Sequence, residues 1–522
     1  MEREYAVAVN RGVDLDAFND DMIASTGAGA IPNRSVDIAD PRLGSKRITH
    51  YALTDEEAAA LRNDPRVYAV EIPPDQRDDI VIGLNATQTG NFNKTTSDTG
   101  AFKNWGLLRC NNLTNVYGTS NTAPSTDYNY ILDGTGVDVV IQDSGIQQGH
   151  PEWEDADGNS RLVLLDWGSY FPGSMSGNHY RDYHGHGTHC AGIAAGKTFG
   201  WAKGAAIYSQ KLSGLEGTGD SGTGISISNA FDAIRGWHNA KKSSRPATIV
   251  NMSWGYSSLI TDVDNGVYRG TAWNYNSDYG NDNAMWAATG VPPYGRARLG
   301  YYTLNARVST VDAEIQEMID DGIHVVIASG NAYTKIDVPT GDDYDNTVSN
   351  DGNTYYYHRG SSPYDDEAFI VGSIDSNDQS GADKTSTFTN RGPGVNIWAP
   401  GSNIMSASSQ TNAIGGSTYN EDSSYKQTNI SGTSMAAPQV CGVGALYLQI
   451  NKNATPAQLK QMMLDDSQSV LHTTNSDTDY SSYTTSLMGA PNKMLYNKFN
   501  AAQDGTAKNG MIVRNTAIKL RK

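Results

Sequence analysis

Two periods of apolar residues alternate along this chain. Short, nearly continuous apolar runs at 137–142, 205–212, 248–252, 324–328, 368–373 and 395–399 read as strands buried on both faces. Between them, apolar positions three and four apart mark helices at 188–195, 225–239 and 308–321, and Val440, Val443, Tyr447 and Ile450 mark another over 434–450. Such an alternation predicts an α/β fold: a parallel sheet with helices on both faces, and sites outside the carboxyl ends of its strands. Residues 1–75 follow another pattern, with strands predicted at 5–9, 49–53 and 67–71 and a helix over 14–24. Thr54 and Glu57 form a capping box, so a second helix starts there and stops near Asn63, ahead of Asp64-Pro65. This is the pattern of a small α+β, ferredoxin-like unit.

Other stretches lack a period. Residues 76–124, rich in Asp, Asn, Thr and Gly, read as a linker and the irregular start of a larger unit over 125–499. Polar inserts near 256–307 and 332–367 interrupt that unit; loops so long usually carry function, and substrate selection and plain packing both stay open. Thr455-Pro456-Ala457-Gln458 caps a last helix, and a tail carrying Lys508, Arg514, Lys519, Arg521 and Lys522 occupies 500–522.

Composition narrows the partners. A chain of 522 residues with 38% hydrophobic content has room for two folded units. The net charge of -18 counts against nucleic acid as a partner, because phosphate binding needs basic surface. No apolar run reaches about 18 residues, so no membrane span is expected, and Met1-Glu2-Arg3-Glu4 opens no secretory signal. The expected setting is the inside of a cell or a virus particle, with release by another route left open. Cys110, Cys190 and Cys441 are odd in number, form no disulfide framework and read as buried thiols.

Candidate chemistry gathers late in the chain. In Ile430-Ser431-Gly432-Thr433-Ser434-Met435-Ala436-Ala437-Pro438, Gly432 permits a tight turn and Ser434 opens a helix at its positive dipole end, which makes a seat for a nucleophile. The strand at 137–142 delivers Asp143-Ser144-Gly145 at its carboxyl end, and Gly185-His186-Gly187-Thr188-His189 sets a histidine at a glycine-flanked helix start. The chain order is Asp, His, Ser.

That order and those three motifs, with Asn251-Met252-Ser253-Trp254-Gly255 and Ala328-Ser329-Gly330-Asn331, resemble the subtilisin-like serine proteases over residues 133–499. The short segment from Cys190 to Gly204 is more similar to the proteinase K branch than to the secreted bacterial subtilisins. The resemblance implies a subtilisin-like fold and a serine endopeptidase whose triad is Asp143, His186 and Ser434, with Asn331 binding the oxyanion. It implies that a peptide lies as an added strand between Ser253-Trp254-Gly255 and Ser221-Gly222, and that Ala328-Ser329-Gly330 walls the first specificity pocket. Trp254 stands where relatives often carry leucine, so it either reshapes a subsite or simply packs. Residues 1–75 would be an inhibitory propeptide, cut off by the enzyme itself within the linker, and polypeptides would be the substrates.

No cofactor is required for that chemistry. Structural calcium stays open: Asn396 stands where relatives carry a calcium-ligating aspartate, and Asp342-Asp343-Tyr344-Asp345 is either cation-binding or solvated, so no metal ligand is assigned. Three rival readings also stay open. A catalytically silent binding module would normally lack a triad member or Asn331. Cys190 could serve as a thiol nucleophile, although Ser434 fills that place in the motif. A zinc hydrolase could use His184, His186 and His189, although that pattern wants an aspartate where Thr188 stands.

Overall fold

Four antiparallel strands open the chain in a computed structural model that describes residues 2–24, 34–77, 79, 81–84, 88–89, 104–117, 128, 130–170, 178–212, 214–220, 222–223, 225–379, 382–473 and 486–499. They are β1 (Arg3–Val9), β2 (Ile38–Asp40), β3 (Ile48–Leu53) and β4 (Val67–Glu71), in spatial order β2-β3-β1-β4. Helices α1 (Leu15–Ile23) and α2 (Asp55–Leu61) cover one face, and α2 begins at the capping box read from Thr54 and Glu57. Tyr5, Val7, Phe18, Met22, Leu53 and Leu61 close a core belonging to this unit alone. Beyond β4, two short strands, β5 (Val81–Leu84) and β6 (Gln88–Thr89), and a short helix, α3 (Trp105–Arg109), stand where the sequence reads as unstructured linker. These strands borrow their order from edges elsewhere in the molecule, which a local pattern does not reveal.

The large unit comprises, in chain order, β7 (Asp138–Asp143), α4 (His186–Ala195), β8 (Ala206–Lys211), α5 (Ile227–Lys241), β9 (Thr248–Met252), β10 (Trp254–Ile260), β11 (Asn265–Tyr268), β12 (Thr271–Asn274), α6 (Asp282–Thr289), β13 (Tyr302–Asn305), α7 (Ser309–Asp320) and β14 (His324–Ala328). There follow β15 (Thr347–Asn350), β16 (Asn353–Tyr356), β17 (Phe369–Gln379), β18 (Ala382–Thr385), β19 (Ile397–Pro400), β20 (Ile404–Ser408), β21 (Ser417–Thr418), β22 (Lys426–Ser431), α8 (Thr433–Ile450) and α9 (Pro456–Asp466). The central sheet runs β18-β17-β14-β9-β7-β8, with β19 beside β17. All its pairs are parallel except β17–β18. Strand alternation splits its side chains between two cores: Val139, Ile141, Ile249 and Val326 pack with α4 and α8, while Val140, Val250, Val325 and Ile327 pack with α5 and α7. This is the α/β architecture expected from the sequence. Gln142 and Ile327 both lie opposite Met252, so the carboxyl ends of β7, β9 and β14 finish level at one rim.

The first insert and the residues after β14 are folded rather than open loops. Strands β12-β11-β15-β16 form a sheet of their own, and Ile260, Trp273, Met285, Leu304, Val348 and Tyr357 close a core beneath it. The aromatic and apolar positions that build this core come from both inserts, so neither segment shows a full hydrophobic face by itself. The N-terminal sheet docks on α5 and α7. There Ala8 and Ile48 meet Ala313, and the buried Arg42 guanidinium reaches Asp232 at 3.1 Å and Glu314. No helix among the described residues is long and apolar enough to cross a membrane.

Candidate active site

Asp143, His186 and Ser434 converge at the level rim of the sheet, each fully buried in this form of the chain. Asp143 is the last residue of β7, and His186 is the first of α4. Their loops touch: a β-carbon on Gly187 would fall 2.1 Å from the Gly145 carbonyl oxygen, so only glycine lets the histidine approach this closely. The imidazole Nδ1 lies 2.8 Å from Asp143 Oδ1. A carboxylate can only accept, so Nδ1 carries the proton and Nε2 is the basic nitrogen. That Nε2 is buried and has no hydrogen-bond partner.

Asp182, which the sequence reading did not single out, organises this corner. Its carboxylate accepts from Gly185 N–H at 2.8 Å, from Thr188 N–H at 3.0 Å and from the Ser144 and Thr188 hydroxyls at 2.9 and 2.7 Å. It thereby caps a helix whose own N-cap is glycine and ties that helix to the β7 loop. An aspartate just upstream of a glycine-flanked helix start was the signal available for it.

Ser434 sits in the first turn of α8. Pro438 has no N–H to offer the carbonyl four residues back, so the Ser434 carbonyl is free to accept from Ser253 Oγ at 3.1 Å and Cys190 Sγ at 3.4 Å. The Ser434 hydroxyl itself donates to the Ser253 carbonyl at 3.0 Å and makes no bond to His186. Asn331, just past β14, accepts the Thr433 N–H and hydroxyl on Oδ1, both at 3.0 Å. Two donors on one atom identify it as the oxygen, which leaves Nδ2 buried and unbonded. Thr433 thus positions Asn331, and its oxygen also receives the Gly330 N–H at 3.1 Å.

Of the expected substrate-groove residues, Ser253, Trp254 and Gly255 stand at and beyond the end of β9. The edge of β10 carries an added strand, because β5 pairs antiparallel with it, Leu84 opposite Trp254 and Gly83 opposite Gly255. On the other side, Ile430 and Ser431 of β22 pair with Thr89 and Gln88 of β6. Gly222 holds a left-handed turn near Glu216, but among the described residues no ladder joins it to β5, and Ser221 lies outside them. Trp254 is fully buried against Phe231 and Tyr256. Ala328, Ser329 and Gly330 leave β14 beside Asn331. Gly330 has φ of +101°, and a β-carbon there would meet Asn390 Nδ2 at 2.6 Å. The Ser329 hydroxyl is buried and unbonded.

The profile of the subtilase family matches residues 134–484, which include all four of Asp143, His186, Asn331 and Ser434. The chain belongs to the subtilase family. Among its relatives, this subtilase is 26% identical to a subtilisin-like serine protease of Cochliobolus lunatus over 78% of its own length and 61% of that protein's. It is 24% identical to alkaline serine exoprotease A of Vibrio alginolyticus over 86% of its own length and 58% of that protein's. The subtilase therefore spans about three fifths of these two relatives. With proteinase R of Parengyodontium album it shares 26% identity, covering 80% and 76% of the two chains. Similar solved structures include a cold-adapted subtilisin-like serine proteinase, with TM-score 0.44, 22% identity, and 75% of this subtilase and 97% of that chain covered. Fervidolysin from Fervidobacterium pennivorans gives TM-score 0.49 and 17% identity over 96% and 60% of the two chains.

The rival chemistries do not fit this subtilase. His189 Nε2 is held by the Ile404 and Thr428 carbonyls, both at 3.1 Å, and among the described residues His184, His186 and His189 do not bring their nitrogens together at one centre. Burial keeps the Cys190 thiol protonated, raising its pKa well above the ordinary value, and its Sγ is engaged with the Ser434 carbonyl. The calcium positions fare no better. The Asn396 amide is used at both ends, accepting from Ile370 N–H at 3.0 Å and donating to the Ala368 carbonyl at 2.9 Å. Asp343 is neutralised by Arg269 and Lys335, whose charges stand where a cation would, and the exposed Asp345 reaches the Arg359 guanidinium.

Proposed function

We propose that this subtilase is a serine endopeptidase acting on polypeptides through an acyl-enzyme on Ser434, and that it is made as a self-processing zymogen. The observation that carries the reading is the pair of buried, unbonded polar atoms around Ser434: a basic nitrogen, His186 Nε2, and a donor, Asn331 Nδ2. In this mechanism the Ser434 hydroxyl turns from the Ser253 carbonyl, gives its proton to His186 and attacks the scissile carbonyl. Asp143 holds the Nδ1–H and stabilises the imidazolium, which then protonates the leaving amine. The Asn331 amide and the Ser434 N–H donate to the oxyanion. Water repeats the sequence to release the acid, and no step calls on a cofactor. Because main-chain bonds along β10 would hold the substrate, broad sequence tolerance follows.

The zymogen reading rests on the two ladders. Residues 1–75 would be the inhibitor, delivering β5 along the groove edge. Leu84 pairs opposite Trp254 and Gln88 opposite Ser431, which lies three residues before Ser434, so the two ladders end on either side of the nucleophile. Self-cleavage is thus expected between Leu84 and Gln88, within the broader linker read from sequence. Mapping N-termini by mass spectrometry should find the parent chain cut there and the Ser434→Ala chain whole; equal processing of both would end the reading.

A further inference from the structure

A cavity of about 460 Å³ opens where the chain enters β5, and its walls come from both units. Glu71, Arg77 and Asp79 line it from the N-terminal side; Arg307 and the turn carrying Tyr355, Tyr356 and Arg359 line it from the large unit. In the uncut chain Arg77 and Asp79 stand in its wall and neutralise each other at 2.6 Å. Removal of the N-terminal segment would take away every carboxylate among the lining residues and leave two guanidiniums. They differ in availability. Arg307 is paired with the buried Asp312, whereas the partner of Arg359 is Asp345, whose side chain is 78% exposed and so screens it weakly. The ring of Tyr356, 3.4 Å away, stacks on Arg359 and holds the guanidinium at the wall.

We propose that this cavity is a distal substrate site that binds an acidic side chain lying well upstream of the cleaved bond, with Arg359 as its specificity-determining residue. The proposal rests on the endopeptidase reading and on β5 marking the track of a substrate. With cleavage between Leu84 and Gln88, Asp79 is the sixth to ninth residue before the bond, and a substrate on the same track brings its own residue at that position to the cavity. The part of the chain that follows β10, the two inserts, would then extend recognition beyond the residues nearest Ser434.

The test uses enzyme processed from the full chain and two sets of fluorogenic peptides. Short peptides, with four residues before the bond, report the endopeptidase reading. Long peptides share those four residues and carry Asp, Asn or Lys at the position equivalent to Asp79, fixed by the mapped cleavage site. The Asp peptide should exceed the Asn peptide in kcat/KM by about three- to fivefold, the size expected of a partly solvated ion pair, with Lys lowest. In Arg359→Gln that ratio should fall to about one. Short peptides cleaved without an Asp preference among long ones would overturn this proposal alone. No processing, or no cleavage of short peptides, would overturn the endopeptidase reading and this proposal with it. If Arg359→Gln does not fold, the Asp-to-Asn ratio of the parent enzyme still decides.

Discussion

A buried amide donor without an acceptor costs the resting fold about 1–3 kcal/mol, and Asn331 Nδ2 is such a donor, whose retention a use in another state would explain. The proposed oxyanion supplies that use only in the transition state. Replacing Asn331 by alanine should therefore lower kcat by about 10²–10³ with little change in KM. Steady-state kinetics on a short peptide check this, and a loss carried mainly by KM would point to ground-state binding instead. The Ser434 hydroxyl, by contrast, already has an acceptor in the Ser253 carbonyl, and the proposed mechanism requires it to rotate away before attack. Ser434 was legible from a glycine and a helix start, whereas Asn331 was legible only through the resemblance that Ala328-Ser329-Gly330-Asn331 carries. Thr433, which orients Asn331, and Asp182, which caps the helix of His186, carry weaker local marks, and their hydrogen bonds are what identify them.

Among the elements, the docking of the N-terminal sheet on α5 and α7 depends on charge buried at an interface. Arg42 sits between Asp232 and Glu314 with all three side chains almost fully covered. Removing one member of such a cluster strands the others and typically costs about 3–5 kcal/mol. In the uncut Ser434→Ala chain, Arg42→Ala should lower stability by that amount in urea unfolding at neutral pH. The loss should shrink on acidification, because burial already raises the carboxyl groups of Asp232 and Glu314 and protonation relieves the unpaired charge. A loss independent of pH would mean that packing, not charge, holds the sheet in place.

For the whole molecule, acid should be the destabilising direction. Burial pushes His189, His324 and His358 down to about 3, and His179 and His238 to about 4, so each is neutral in the fold. An unfolded histidine titrates near 6.5, about three units higher. Below that pH the unfolded chain binds the extra protons, so their stabilising contribution is complete above roughly pH 6.5 and is lost as pH falls toward 3–4, by up to about 1.4 kcal/mol per pH unit for each histidine. Calorimetry of the Ser434→Ala chain should show Tm falling steadily from pH 7 to pH 4.5; a flat profile would show that these imidazoles reach water without unfolding.

Elements whose order is local could be read from residues alone. The buried runs of β7, β9 and β14, the period of α8 and the capping boxes of α2 and α9 each involve neighbours a few positions apart, and the motifs of Asp143, His186, Asn331 and Ser434 lie at the ends of such elements. Tertiary structure alone made strands of β5 and β6, joined the two inserts into one sheet, set Arg42 between two helices and walled the distal cavity. Each of these pairs residues far apart in the chain, such as Leu84 with Trp254, Asn265 with Ser349 and Arg42 with Glu314. Edge strands are joined by backbone groups common to every residue but proline, so no side-chain pattern records the partner. Long-range charge pairing leaves no period either, and both come into being only when the chain closes on itself.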